Sequence, residues 1–290
     1  MFEKKTSRIE FLITLIKIPL RFFLNKLSQS HLKKYQPIAS YSYDYISQTI
    51  AIDGVYEIKD LELINSFLKN KFPDVLKGTC LDIGANIGNH TLFYAKYFNN
   101  IFSFEPLPMN FKLLEINTND LKNVKIFNYA IGAENLNRDF FYDYRNLGGS
   151  SFKNISSDSL SKLSLPIKKL DDLNLDLLNV TFIKLDVEGS EIDVIKGGLN
   201  TIKKTFPIIA FEQQKNDFHN GTSNVIGELK KIGYKKFLVP KTKPIFVNTN
   251  NFFGKLILIV YSIIFSQKKA LIQNENFKAD FYPMILAIKE

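Results

Sequence analysis

A glycine turn and a distant acid carry the first chemical signal in this sequence. The stretch LDIGANIGN contains four residues spaced two apart: Asp82, Gly84, Asn86 and Gly88. Apolar residues before it predict a strand and amphipathic residues after it predict a helix, so the turn points backbone N–H groups and a positive helix end at a ligand. Glu105 lies 23 residues after Asp82 and ends the next apolar run, where an acid typically accepts hydrogen bonds from ribose hydroxyls. Because the spacing is not the dinucleotide pattern G-x-G-x-x-G, these residues predict a site for S-adenosylmethionine rather than a nicotinamide cofactor.

A second set of polar residues lies in FIKLDVEGSE and suits proton transfer. Lys184 and Asp186 share one face of the predicted strand, and Asp186 is near its carboxyl end, where open α/β sheets bind ligands. We predict that Asp186 is a general base or a carboxylate that orients a metal. Glu188 is either a further catalytic carboxylate or, like Glu191, an acid that stabilises the start of the next helix. Lys184 is predicted either to hold Asp186 ionised or to contact the substrate.

A third carboxylate and two histidines are weaker candidates. Glu212 ends the fifth apolar run, and His219 lies in the loop after it. A histidine in that loop can take a proton from a bound substrate, although a single loop histidine is more often solvated. His90, one turn into the first helix after the glycine turn, is expected either to face the cofactor or to pack. Carboxylates at a rim also suit a weakly held Mg²⁺, so magnesium stays open and no metal ligand set is predicted.

The elements that must position these residues alternate between strand and helix. The apolar runs TCLDI, IFSFE, VKIFNYA, VTFIKLD and PIIAFE predict strands with helices between most of them. This alternation predicts an α/β fold with a parallel sheet covered on both faces. Residues 37–75 read as a helical lead-in, and 76–290 as the main domain with an apolar insertion at about 244–280. Within 131–167, RDFFYDYRN predicts an extra strand, and GGSS at 148–151 is either a loop that closes over the site or a flexible turn.

The chain resembles the FkbM family of S-adenosylmethionine-dependent methyltransferases. The matching segments are LDIGANIGNHTLFYA, FSFEPLPMNFKLLEIN, VKIFNYAIG, NLGGSSF, FIKLDVEGSEIDVIKGG and PIIAFE, in family order from about residue 79 to 212. The resemblance implies the class I methyltransferase (Rossmann-like) fold, a seven-stranded, mostly parallel sheet with the last strand antiparallel, and FYPMILAIK fits that strand. It also implies methylation of hydroxyl groups on glycans and natural products, and it places Asn128 and Ala130 beside the adenine.

The positive charge is concentrated in one terminal segment. The net charge is +9, and residues 1–36 hold eight Lys and Arg residues against two acids, which leaves +3 for the rest. A nucleic-acid binder usually spreads its basic face over the folded domain, so a nucleic-acid partner is not expected. Residues 1–36 are predicted to form a basic amphipathic N-terminal helix. Because residues 1–27 mix this charge with Phe, Leu and Ile, we expect that part either to lie on an anionic membrane surface or to pack on the protein core. The segment is too charged to span a bilayer and lacks a cleavage site, so we expect a cytoplasmic protein, with or without peripheral attachment to the membrane face.

Three functions remain in competition. The first is an O-methyltransferase that acts on a saccharide, a glycolipid or a related natural product. The second is a nucleic-acid methyltransferase, which the basic composition favours and the location of the charge disfavours. The third is a non-catalytic relative that binds a membrane or a glycan, against which the intact glycine turn and Glu105 argue. No oligomeric state is predicted.

Overall fold

The computed structural model describes residues 8–143, 146–151, 161–219, 221–242 and 269–289. The predicted insertion at 244–280 therefore lies mostly outside the described residues. The helices are α1 (Arg8–His31), α2 (Tyr45–Asp53), α3 (Ile58–Lys71), α4 (Asn89–Tyr94), α5 (Pro108–Thr118), α6 (Glu191–Gly197), α7 (Leu199–Thr205) and α8 (Asn224–Ile232). The strands are β1 (Thr79–Ile83), β2 (Asn100–Phe104), β3 (Val124–Phe127), β4 (Ala130–Ile131), β5 (Leu136–Asp143), β6 (Asn146–Ser151), β7 (Ser161–Lys168), β8 (Val180–Leu185), β9 (Ile208–Gln213), β10 (Phe218–His219), β11 (Thr222–Ser223), β12 (Lys236–Thr242), β13 (Lys269–Gln273) and β14 (Tyr282–Ile288).

Eight of these strands form one large mixed sheet in the order β13-β12-β14-β9-β8-β1-β2-β3. The pairs β9–β8, β8–β1, β1–β2 and β2–β3 are parallel, and β14 runs antiparallel to both β9 and β12. The predicted α/β class and the antiparallel last strand are confirmed. The predicted count of seven strands was wrong, because β13 adds an eighth, antiparallel to β12 at the sheet edge.

Apolar side chains on both faces of the large sheet are buried. Leu81 and Ile83 of β1 pack in a cluster that includes residues of α6, α7 and α8. The neighbouring Cys80 faces the opposite cluster, which includes Leu61 of α3 and Tyr94 of α4. Burial on both faces explains why these strands read as continuous apolar runs in the sequence.

A second, four-stranded sheet has the order β4-β7-β5-β6. The predicted extra strand is present as β5, which pairs antiparallel with β7 along Leu136–Tyr142. The polar segment GGSS, predicted as a closing loop or a flexible turn, instead lies in strand β6, because its backbone pairs with β5. Residues 152–160 of the predicted polar loop lie outside the described residues.

The predicted lead-in contains two helices, α2 and α3, and each is attached to a different part of the fold. His31 at the end of α1 bonds Ile52 O of α2 at 2.9 Å. Asp60 of α3 accepts from Lys269 Nζ with both carboxylate oxygens at 2.8 Å, which ties α3 to the edge strand β13. Among the described residues, no helix is both long and apolar enough to cross a bilayer.

Candidate active site

The turn after β1 brings the backbone of two strand ends into contact. Gly84 has φ of 83°, and a Cβ built there would lie 1.8 Å from Asp186 O, at the end of β8. Asn86 has φ of 51°, and asparagine tolerates this left-handed conformation better than most residues. The turn is closed by Gly84 N and Ala85 N, which both donate to Phe104 O at 3.0 Å. Backbone contact of this kind explains the glycine at position 84.

Glu105 is a buried carboxylate held in place by backbone N–H groups. Its two oxygens accept from Asn86 N and Leu107 N, each at 2.9 Å. Burial raises the pKa of Glu105 to about 7, and the two backbone hydrogen bonds oppose that rise. Asn128 Nδ2 donates to Glu105 O and to Pro106 O, so it supports the backbone around the acid. Glu105 is therefore fixed beside the glycine turn, with lone pairs left to accept from a ligand.

Lys184 is a buried cation that links the turn to two carboxylates. Its Nζ donates to Gly84 O at 2.9 Å and lies 3.4 Å from Asp82 Oδ1 and 3.2 Å from Asp186 Oδ2. Burial lowers the pKa of Lys184, but the charges of Asp186 and Asp82 outweigh burial, and the pKa lies above its usual value. Asp82 is fully buried and accepts from Thr91 Oγ1 of α4 at 2.6 Å. Lys184 and Asp82 thus stabilise the turn without lining the cavity.

The part of the site at the ends of β8 and β9 is acidic. Glu212 at the end of β9 has its pKa raised to about 9, first by burial and then by Asp186, Glu188, Glu191 and Glu57. Gln214 Nε2 donates to its Oε1. Glu191 is buried and accepts from Gly189 N at 3.0 Å, a contact at the start of α6. Glu188 has φ of 48°, which turns the chain from β8 toward α6.

The segment before α3 brings two further side chains to this acidic end. Asn89 at the start of α4 accepts from Tyr56 N at 2.9 Å and donates to Tyr56 O at 3.0 Å. Glu57 follows with φ of 58° and lies 3.3 Å from His90 Nε2. His90 is buried and stacks on Tyr56, so it lies behind the two residues that reach the site.

These residues surround a cavity of about 420 Å³. The carboxyl ends of the strands of the large sheet and the loops that follow them form one wall, which contains Gly84, Glu105, Asp186, Glu188 and Glu212. Helix α2 and the turn that joins it to α3 supply a second wall: Tyr45, Ile46, Tyr56 and Glu57. The small sheet supplies a third: Ala130, Leu136, Arg138, Phe140 and Ile167.

The predicted site residues divide into those at the cavity and those behind it. Six line the cavity: Gly84, Asn86, Glu105, Ala130, Asp186 and Glu188. Five do not: Asp82, Gly88, Asn128, Lys184 and His219. Gly88 lies at the start of α4, where a Cβ would meet Leu114 Cδ1 at 2.8 Å. His219 is exposed in the short strand β10 and pairs with Thr222 rather than facing the other candidates.

Several lining residues carried a sequence signal too weak to single them out. Leu136, Arg138 and Phe140 alternate along β5, and this alternation identifies one face of a strand without saying what that face covers. Tyr56 and Glu57 lie outside any motif and reach the cavity only because Asn89 holds their segment. Within the described residues, no three His, Cys, Asp or Glu side chains converge closely enough to hold a metal ion.

Comparison with known proteins identifies methyltransferases as relatives of this chain. The family model of the methyltransferase FkbM domain matches residues 82–236. "Methyltransferase 1" of Beauveria bassiana is 25% identical over 186 residues, which cover 56% of this chain and 69% of that protein. "Hexuronic acid methyltransferase AglP" of Haloferax volcanii is 23% identical over 158 residues, covering 53% of this chain and 64% of that protein.

A solved structure of the same family also aligns with the chain. It is the crystal structure of methyltransferase FkbM from Methylobacillus flagellatus, with a TM-score of 0.41 and 16% identity. The alignment covers 73% of this chain and 43% of that one, so this chain spans less than half of the solved protein. Since the family model matches more than half of the 290 residues, the protein belongs to the FkbM methyltransferase family.

Proposed function

We propose that the protein transfers the methyl group of S-adenosylmethionine to a hydroxyl group of a saccharide, a glycolipid or a related natural product. One observation carries this proposal: a single cavity joins the glycine turn and Glu105 to the acidic group formed by Asp186, Glu188 and Glu212. The first end has the chemistry to bind a nucleoside, and the second has the chemistry to bind a cation and accept a proton.

The residues at the cavity fit this cofactor. Glu105 offers acceptor lone pairs for ribose hydroxyls, and Gly84 leaves room for a ligand close to the backbone. Seven acids and one cation line the cavity among the described residues, an excess of negative charge that suits a sulfonium. When bound, the cofactor supplies an electrophilic methyl group on positively charged sulfur. Holding the acceptor oxygen in line with that methyl is then the main task of the cavity walls.

Two carboxylates in different surroundings have different roles toward the acceptor hydroxyl: one orients it and the other accepts its proton. Lys184 pins Asp186 at 3.2 Å, so we assign to Asp186 the orientation of the hydroxyl. Among the described residues Glu212 has no such counter-charge, and burial, followed by the charges of neighbouring acids, raises its pKa to about 9. We assign to Glu212 the proton that leaves the hydroxyl, because the positive charge of a bound sulfonium would lower the pKa of Glu212 and leave its carboxylate ionised and able to accept that proton.

The lining of the cavity also supports the acceptor class. Tyr45, Tyr56 and Phe140 give it aromatic surface of the kind that packs on the apolar faces of sugar rings. Arg138 is the only cation among the described lining residues and suits a carboxylate on an acidic sugar. The name of the relative AglP, a hexuronic acid methyltransferase, points to the same chemistry. A phosphate backbone would meet mostly acids here, which disfavours a nucleic acid.

Calorimetric titration with S-adenosylmethionine, followed by turnover with candidate acceptors, tests the proposal. We expect Glu105→Ala to weaken cofactor binding at least about tenfold, because the acceptor of the ribose hydrogen bonds is lost. Asp186→Asn is expected to keep the cofactor and to lower turnover by about 10²-fold or more.

Glu115→Ala is the matched control, since it removes an exposed acid of α5 away from the cavity. Equal affinities of the Glu105→Ala variant and this control would remove Glu105 from the cofactor site. Normal turnover of Asp186→Asn would remove Asp186 from the reaction.

A further inference from the structure

Helix α1 exposes large apolar side chains over three consecutive turns. Eight of them are between 38% and 68% exposed: Ile13, Leu15, Ile16, Ile18, Leu20, Phe22, Phe23 and Leu24. Soluble proteins rarely leave a contiguous apolar surface of this size uncovered. The apolar part of α1 therefore requires a partner.

The polar residues of α1 form one narrow stripe. They are spaced three or four apart along the helix: Thr14, Lys17, Arg21, Asn25 and Ser28. At 3.6 residues per turn this stripe covers about 80° of the circumference, and from Ile13 to Leu24 the remaining surface is apolar. Between Ile13 and Ser28 only Lys26 departs from the pattern, and its Nζ lies over the Phe22 ring, 5.7 Å from the centroid. The polar residues that end the helix, Gln29 to His31, lie outside the stripe.

The width of the apolar surface distinguishes between possible partners. A helix that pairs with a second copy needs only a narrow apolar seam, and in such a pair about half of the circumference of α1 would stay apolar and uncovered. A helix lying in a bilayer interface immerses a wide apolar face about 5–10 Å deep and keeps its basic stripe at the lipid headgroups. Lys17 and Arg21, one turn apart on the stripe, complement anionic headgroups.

We propose that α1 docks the protein on the surface of a bilayer that contains anionic lipid, with the apolar side of the helix in the acyl boundary. The end of α1 is attached to the folded domain, since His31 bonds Ile52 O of α2. The start of α2 also supplies Tyr45 and Ile46 to the cavity wall. Docking would therefore hold one wall of the cavity close to the lipid surface.

Sedimentation of the full chain with vesicles tests this proposal without measuring methyl transfer. We use phosphatidylcholine vesicles with and without about 30% phosphatidylserine. We expect the protein to sediment with the anionic vesicles and at least about tenfold less with the neutral ones. Lys17→Glu/Arg21→Glu should lower partitioning onto anionic vesicles at least about tenfold, by charge repulsion. Phe22→Ser/Phe23→Ser should do the same by loss of apolar burial.

Two control variants match these changes elsewhere on the surface. Lys203→Glu/Lys204→Glu in α7 makes the same charge change at exposed positions, and Ile116→Ser/Leu178→Ser removes two apolar side chains that are 62% and 67% exposed. Both controls should sediment as the wild type does. The proposal is overturned if the wild type stays in solution, or if the controls lose binding as strongly as the α1 variants. A concentration-dependent dimer that Phe22→Ser/Phe23→Ser abolishes, without vesicle binding, would identify a second copy as the partner instead.

Discussion

At the residue scale, neighbouring carboxylates differ because their partners differ. Asp186 lies 3.2 Å from a buried ammonium group, whereas Glu212 faces Asp186, Glu188, Glu191 and Glu57. Like charges and burial both disfavour the ionised form of an acid, and a nearby cation favours it. Two carboxylates can therefore have different roles, and we assign the orientation of the hydroxyl to Asp186 and the acceptance of its proton to Glu212.

The raised pKa of Glu212 predicts how stability depends on pH. The folded-state pKa is about 9 against an ordinary value of 4.5, so between these limits the native state binds more protons than the unfolded state. Stability contributed by this group is therefore complete below about pH 4.5 and is lost as the pH rises toward 9. We expect Glu212→Gln to reduce this loss and to raise stability at pH 8 by about 1 kcal/mol, while turnover falls.

Urea unfolding between pH 5 and 9 measures the effect, with Glu115→Gln as the exposed control. A Glu212→Gln variant that follows the wild-type pH profile would contradict the assigned environment of Glu212.

At the element scale, the site depends on how closely the ends of β1 and β8 approach. Asp186 N donates to Ile83 O at 3.0 Å, and Lys184 Nζ reaches Gly84 O from the same side. The carboxyl ends of the two central strands are thereby joined through backbone and side chain. A side chain at position 84 would separate them.

We expect Gly84→Ala to lower the free energy of unfolding by about 3 kcal/mol or more. The new Cβ would lie 1.8 Å from Asp186 O, and φ of 83° is unfavourable for alanine. Gly227→Ala in α8 is the matched control, because a Cβ there meets nothing within 4 Å and alanine favours a helix, so stability should rise by about 0.5 kcal/mol. Denaturant unfolding of both variants measures the contrast, and equal changes would show that backbone contact at Gly84 is not tight.

At the scale of the whole molecule, the cavity is shared by three parts of the fold. The N-terminal helices, the large sheet and the small sheet each contribute a wall, with Tyr45, Glu105 and Phe140 as examples. A ligand in this cavity contacts parts of the chain that are distant in sequence. Its binding energy therefore adds to the stability of the assembled domain.

S-adenosylmethionine should raise the Tm of the full chain. At a free concentration of about 100 times Kd, the expected gain is about 2.7 kcal/mol, because only the native state offers the assembled site. Glu105→Ala should require a correspondingly higher concentration for the same shift, and Glu115→Ala should behave as the wild type. Differential scanning calorimetry measures both. A wild-type Tm that is unmoved at saturating ligand would argue against this cavity as the cofactor site.

Much of the large sheet could be predicted because its strands are buried on both faces. Continuous apolar runs identified β1, β2, β8 and β9, and the antiparallel β14 followed from the family resemblance. The edge strand β13 was missed, because Lys269–Gln273 is only partly buried and has no continuous apolar pattern. The strand β6 was missed because GGSS has the composition of a turn, and only pairing with β5 makes it a strand.

The sequence by itself determined the family, the glycine turn and the acids at the strand ends, because these features are local and their spacing along the chain carries the signal. Only the tertiary structure decided which polar residues face the cavity and which lie behind it. Lys184 and Asp186 are two residues apart in one strand segment, yet one is buried beneath the turn and the other lines the cavity. Tyr56 and Glu57 reach the same cavity from the turn between α2 and α3. Burial and charge environment arise from packing between distant segments, and no local pattern in the sequence encodes them.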